Sequence, residues 1–158
     1  MRFPGDGVGD LDSFTTARFN AHRKHWHIDG LALKGTHEWF GTIHNFDCLV
    51  GVLLADVDQP NSGELCVYPG SHTKLSEYFN REGVLDALKT QGSVALPNGD
   101  RTDAVIGSQV HHCNGKAGDV FVVNYTTAHF VNGNTSANIR YKVYFRVKGP
   151  TFKQGVDN

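Results

Sequence analysis

His27-Ile28-Asp29, His129 and Arg140 are the residues whose types and order could do chemistry in this chain. On a strand, positions i and i+2 project from one face, so the His27 imidazole and the Asp29 carboxylate can converge on one ion. His129 would complete a set of two imidazoles and one carboxylate. Such a facial triad leaves coordination positions open, which suits non-haem Fe(II) taking a bidentate 2-oxo acid and dioxygen. The far carboxylate of that acid, in a partly buried pocket, needs a fixed cation to offset its desolvation. Arg140, eleven residues after His129, can supply one, because a guanidinium is always charged and its fork matches a carboxylate. Taken alone, His-x-Asp is a common tripeptide, and His27 by itself reads as a surface or hydrogen-bonded histidine.

The elements that must position these side chains are short strands. Residues 24–29 form a plausible strand with His25, His27 and Asp29 on one face and Trp26 and Ile28 on the other. Residues 39–45 suggest a second. The apolar run at 49–57 suits a strand buried on both faces, and Gln59-Pro60-Asn61-Ser62-Gly63 is a turn signal after it. A strand at 64–68 leads to the turn Pro69-Gly70-Ser71. From Leu75 to Lys89 the apolar spacing becomes partly helical, with Gly83 interrupting it, so one or two short helices are expected. A polar loop covers 90–108, with a brief strand at 94–96, and strands return at 119–124, 128–131 and 139–147. Alternation in the last strand groups Arg140, Lys142, Tyr144 and Arg146 against Tyr141, Val143, Phe145 and Val147. If the interior is wet, Lys142 or Tyr144 could also line the pocket.

Many short strands with turn signals and one helical insertion predict a mainly β, jelly-roll fold whose mouth collects side chains from several strands. The 158 residues suffice for one domain. We expect an irregular lead-in over 1–20, the β domain over 21–148 and a tail over 149–158. The 18 glycines, above the typical ~7%, fit a turn-rich chain, and nine histidines invite a search for metal ligands. A net charge of −1 gives no footprint for nucleic acid or an anionic membrane. No apolar run approaches the roughly 20 residues that span a bilayer. Residues 1–12 show no secretory signal. The three cysteines, Cys48, Cys66 and Cys113, leave one thiol over in any disulfide scheme, which favours a reducing compartment, the cytoplasm. Cys48 and Cys66 look like core residues.

Trp26-His27-Ile28-Asp29, the stretch LVGVLLADVDQPNSGELCVYPGSH from Leu49 to His72, and GDVFVVNYTTAHFVNGNTSANIRYKVYFR from Gly118 to Arg146 resemble the phytanoyl-CoA dioxygenase family. These blocks fall in order across residues 26–146. The resemblance implies a double-stranded β-helix of the cupin-like class and an Fe(II)- and 2-oxoglutarate-dependent oxygenase. It makes His27, Asp29 and His129 the iron ligands and Arg140 the partner of the distal carboxylate of 2-oxoglutarate. The implied reaction consumes O2 and 2-oxoglutarate, releases succinate and CO2, and hydroxylates an unactivated C–H bond of a small organic substrate. An aspartate at 29 leaves no coordination site for halide, so hydroxylation is favoured over halogenation.

Pro69-Gly70-Ser71-His72 matches a family signature with a mainly structural role, in which Ser71 bonds nearby backbone and His72 is a supporting or surface residue. Many family members carry a small hydroxyl residue where this chain has Val131. His111 and His112 point to opposite sides if extended and read as structural or surface residues. Thr42 and His44 are candidates for lining the substrate pocket. Only 26 residues precede His27, fewer than in most of the family, so a truncated N-terminus is expected, and the sheet edge it would expose invites dimerisation. Two rival readings are a cupin-like metal-binding module or isomerase without oxygenase activity, and a catalytically incomplete fragment. Arg140 discriminates against the first, which has no need of a cation at that place.

Overall fold

Alternation along the apolar run 49–57 decides how the first sheet is built. In this computed structural model, which describes residues 26–29, 43, 45–91 and 106–152, the run yields strand β1 over Cys48–Leu53, with Leu49, Gly51 and Leu53 buried and Cys48, Val50 and Val52 half-buried. The expectation of a strand buried on both faces is thus corrected to one with a single buried face. β1 is the centre of a three-stranded antiparallel sheet, flanked by β4 (Val120–Asn124) and β6 (Lys142–Val147). Gly51 faces Phe121 on one neighbour and Tyr144 on the other. A Cβ at Gly51 would lie 2.0 Å from Phe121 Cζ, so glycine there is what lets the Phe121 ring lie across the inner face. That ring meets Tyr144 edge-on, with centroids 5.8 Å apart.

The second sheet is also antiparallel and three-stranded, in the order β3 (His111–Cys113), β2 (Leu65–Val67), β5 (His129–Val131). β3 was not anticipated; three polar-leaning residues are too few for a period to register. The expected strand at 24–29 is represented, among the described residues, by a single antiparallel bridge from His27 to His129 that extends this sheet beyond β5. The strands expected at 39–45 and 94–96, the lead-in over 1–20, and Thr42 and His44 lie wholly or largely outside the described residues.

Period-2 geometry gives each sheet two distinct faces. Leu65 and Val67 of β2 point toward the first sheet and pack with Phe46, Leu49, Val123 and Phe121. Cys66 and Phe130 point the other way, into a second core with Ile28, Tyr68, Leu75 and Phe79. Helix α1 (Ser71–Phe79) covers that side, burying Ser71, Leu75 and Phe79 at i, i+4 and i+8. It starts earlier than Leu75 because the Pro69-Gly70 turn feeds directly into it: Gly70, at φ 77°, sits at its N-cap. Gly83, at φ 79°, separates α1 from α2 (Val84–Gln91), giving the two short helices expected. Phe79→Ala would cost about 3–5 kcal/mol through the cavity it leaves.

The outer face of the first sheet is apolar and open: Val122 is 67% exposed and Phe145 53%. The expected apolar face of the last strand is therefore its outward one, and Lys142, Tyr144 and Arg146 face inward. Cys66 is buried as expected, whereas Cys48 is half-buried. Among the described residues no helix is long and apolar enough to cross a membrane.

Candidate metal centre

His27 and His129 are brought together by the backbone itself. Each donates its N–H to the other's carbonyl, at 2.9 and 3.0 Å, so the two residues are directly opposed and their side chains leave the same face. Their imidazole centroids lie 4.4 Å apart. Asp29, two residues on, adds its carboxylate to that face: Oδ1 is 3.5 Å from His27 Nε2 and 3.8 Å from His129 Nε2. One ligand atom from each of the three lies within 4.8 Å of the others, a spacing that could hold a metal ion.

The sequence around His129 fixes its ring. Asn124 Oδ1 accepts from both the N–H and the hydroxyl of Thr126, forming the side-chain-bonded turn that asparagine favours. Ser71 Oγ accepts from the Ala128 N–H at 2.9 Å and so ties the start of α1 to the residue before His129, the structural role expected of the Pro-Gly-Ser-His turn. His72 is exposed. His129 Nδ1 donates to Thr127 O at 2.8 Å, which sets the tautomer and leaves Nε2 as a lone-pair donor toward Asp29. Burial holds His129 below the ordinary imidazole range, so the ring is neutral at pH 7. Asp29 is held below the ordinary carboxylate range, first by its hydrogen bond from His27, against the opposing effect of burial, with the Arg146 guanidinium adding. A neutral imidazole and an ionised carboxylate are the protonation states a cation needs.

Arg146 is a member of the site that the sequence did not single out. Its Nη2 donates to Asp29 Oδ2 at 3.3 Å and its guanidinium lies over the Phe46 ring at 5.6 Å. The pair is exposed to solvent, links β6 to the segment that carries His27, and leaves Oδ1, the other oxygen, toward the imidazoles. Alternation had put Arg146 on the inner face, but nothing local marks a partner 117 residues away.

Arg140 is half-buried, and Nη1 donates to Gly63 O. Its aliphatic stem packs on Gly63, where a Cβ would lie 3.0 Å from Arg140 Cδ. It flanks an open groove of about 440 Å³ with Gly63, Val131 and Asn132. Arg140 does not touch the three ligand candidates directly. Tyr144, on the same inner face, lies within electrostatic reach of both Arg140 and Asp29, and its burial pushes the phenol up, so it stays protonated.

A second cluster, Glu64, Cys66 and His112, also has ligand atoms within 4.8 Å of one another. Glu64 is fully buried and already committed: Oε1 accepts from Asn61 N–H, His112 Nδ1 and Asn132 Nδ2, and Oε2 accepts from Ser62 N–H. Burial pushes its carboxyl up, but these hydrogen bonds outweigh that and hold it below the ordinary range. The network pins the ends of β2, β3 and β5 together, so His112 has the structural role expected of it.

Residues 10–141 match the family model described as phytanoyl-CoA dioxygenase (PhyH). The chain belongs to the phytanoyl-CoA dioxygenase family. This is a family of iron- and 2-oxoglutarate-dependent oxygenases, whose cofactor set is Fe(II), 2-oxoglutarate and O2. No curated protein matches the chain. Two solved structures of HygX from Streptomyces hygroscopicus, one with iron bound and one with nickel and 2-oxoglutarate bound, are similar to it at 19% identity and a TM-score of 0.41. The likeness covers 82% of this phytanoyl-CoA dioxygenase family chain, and 46% and 45% of the respective HygX chains. The chain thus spans less than half the length of the HygX chains.

Proposed function

We propose that this chain is an Fe(II)- and 2-oxoglutarate-dependent dioxygenase that hydroxylates an unactivated C–H bond of a small organic substrate, with release of succinate and CO2. The observation that carries this reading is the convergence of His27, Asp29 and His129 on one face, with their ligand atoms within 4.8 Å of one another. Two nitrogens and one oxygen form a donor set that suits Fe(II), and three protein ligands leave positions for a 2-oxo acid and dioxygen. We read the two sheets as halves of a double-stranded β-helix and residues 21–148 as the oxygenase domain.

In this reading His27 Nε2, Asp29 Oδ1 and His129 Nε2 hold the iron. Bound there, Fe(II) supplies the oxidative decarboxylation of 2-oxoglutarate and the coupled oxidation of the C–H bond. The Thr127 carbonyl keeps the His129 ring in its ligating tautomer, and Arg146 holds Asp29 Oδ2 so that its other oxygen is aimed at the imidazoles. Arg140 holds the far carboxylate of 2-oxoglutarate. Tyr144, within electrostatic reach of Arg140 and Asp29, is a neutral phenol beside the site. The apolar rings of Phe121 and Phe46 limit water between the sheets, which strengthens each charge contact made there. Asp29 fills the position that a halide would need, which favours hydroxylation over halogenation.

Succinate formed from 2-oxoglutarate, with Fe(II) and ascorbate added, is the direct assay, because such turnover proceeds slowly even without the primary substrate. Succinate that depends on added iron is expected. Folded protein that makes none, and binds no 2-oxoglutarate in the presence of iron, would contradict the proposal.

A further inference from the structure

Lys142 carries a charge that the described protein does not answer. Its Nζ is fully buried and has no hydrogen-bond partner among the described residues. The backbone puts it there: Lys142 pairs with the buried Leu53 on β1, and the Leu54 N–H bonds Tyr141 O, so the extended pairing runs past the start of β6. Its ammonium lies over the Phe121 ring at 5.9 Å from the centroid, at the outer limit of a useful cation–π contact.

The groups that reach Lys142 electrostatically are Arg140, Cys113, Glu64 and Cys66. Arg140 lies two residues back on the same inner face and repels it. Cys113 is a half-buried thiol whose partial burial pushes it up from its ordinary range, so it brings no negative charge at pH 7. Glu64 is the carboxylate among them, and its oxygens already accept four hydrogen bonds from other groups. Burial lowers the Lys142 ammonium to about 8, which still leaves it mostly charged at neutral pH. Lys142 and Arg140 are thus two like charges within electrostatic reach of each other, and among the described residues no anion is bonded to Lys142. A buried ammonium in that position is strongly disfavoured unless a counter-charge binds.

We propose that Lys142 and Arg140 form a two-cation seat for the far carboxylate of the 2-oxo acid, and that Lys142 sets the preference for a dicarboxylic over a monocarboxylic 2-oxo acid. A carboxylate has two oxygens and about four lone-pair sites, so it can accept from the guanidinium and the ammonium together. The inference rests on the oxygenase reading above, since that reading supplies the ligand. It adds a positioning residue and a specificity that Arg140 alone does not require.

The test is binding of 2-oxoglutarate and of 2-oxovalerate to the full chain loaded anaerobically with Fe(II), for wild type, Lys142→Met and Lys142→Arg. 2-Oxovalerate keeps the chelating end and has a methyl group in place of the far carboxylate. Lys142→Met is expected to weaken 2-oxoglutarate at least about thirtyfold, as loss of one partner of a buried charge pair does. Its affinity for 2-oxovalerate should stay within about twofold of wild type, which also reports an intact fold and iron site. Lys142→Arg should recover most of the lost affinity, because it restores the charge. Equal 2-oxoglutarate affinity in wild type and Lys142→Met, or equal losses for both acids, would overturn the inference while leaving the oxygenase reading in place. Wild-type protein that binds neither acid with iron would overturn the reading itself, and this inference with it.

Discussion

His27 and His129 form a mutually hydrogen-bonded pair across a gap of about a hundred residues, each N–H donating to the other's carbonyl. That pairing, rather than any long strand, is what sets two imidazoles on one face and gives Asp29 a place beside them. The remaining orientation comes from two further contacts, Thr127 O on the His129 ring and Arg146 on the Asp29 carboxylate. Each contact makes a separate expectation about the site.

Arg146→Met should weaken Fe(II) binding by about tenfold, the lower end of what loss of a group orienting a metal ligand costs. Two effects oppose each other here. Removing a cation near the iron favours binding, while freeing Asp29 to rotate disfavours it. The Arg146 side chain is 61% exposed and its charge is well screened, so orientation should win. Anaerobic equilibrium dialysis decides this, and tighter binding in the variant would mean Arg146 acts on the iron only by repulsion.

Stability of the metal-free protein should fall on acidification in a stepwise manner. Burial holds folded His129 below its ordinary value of 6.5, so the unfolded chain takes up its proton first and stability erodes as pH drops below that value. Asp29, held below its ordinary 3.8, contributes stability that is present above that value and is lost only as pH falls through its lower folded value. Urea denaturation across this range should show a shallower loss between pH 7 and the carboxylate range in His129→Gln than in wild type. Equal slopes would mean that His129 is not buried as neutral imidazole.

Gly63→Ala should raise the 2-oxoglutarate requirement without removing a charge. Gly63 sits at φ 77°, where a Cβ is strained, and that Cβ would press on Arg140 Cδ at 3.0 Å. The backbone cost is roughly 1–2 kcal/mol, small enough for the fold to survive. The Arg140 stem must give by a few tenths of an ångström, which moves the cation assigned to the far carboxylate off its place by a similar amount. Calorimetric titration of 2-oxoglutarate into the iron-loaded variant measures this; unchanged affinity would remove Arg140 from that role.

Lys142→Met should make the ligand-free protein more stable at pH 7 by about 1 kcal/mol or more, since replacing an uncompensated buried charge with a well-packed apolar chain is commonly stabilising. The sign follows from the folded value of about 8, below the ordinary 10.5: between the two the unfolded chain holds more protons, so wild-type stability rises with pH there. The variant should lack that rise. Urea titrations at pH 7 and 10 check both points, and a destabilised variant would mean that Lys142 serves the fold rather than a ligand.

The shared face of His27 and Asp29 was legible in the sequence from the i, i+2 rule alone, whereas His129 entered through its order in the chain and the family resemblance. The inward set Lys142, Tyr144 and Arg146 was legible too, since β6 is long enough for its alternation to show. The Asp29–Arg146 pair was not, because a contact spanning 117 residues leaves no local spacing to read. Nor was the Glu64 network, whose carboxylate looks in sequence like an ordinary polar residue after a Gly turn and yet is fully buried among four donors. The early start of α1 was hidden for a different reason. Pro69-Gly70 signals a turn correctly, but Gly70 in the left-handed region also serves as the cap from which the helix begins.

Titration of 2-oxoglutarate into anaerobic protein, with and without Fe(II), in wild type and Asp29→Ala, tests the metal centre most directly. Asp29 is a partly exposed residue, and its removal should leave the fold largely intact. Wild type should bind the acid in an iron-dependent manner, and Asp29→Ala should lose that dependence. Equal binding with and without iron in wild type, or full iron-dependent binding in Asp29→Ala, would contradict the assignment of His27, Asp29 and His129 as the iron site.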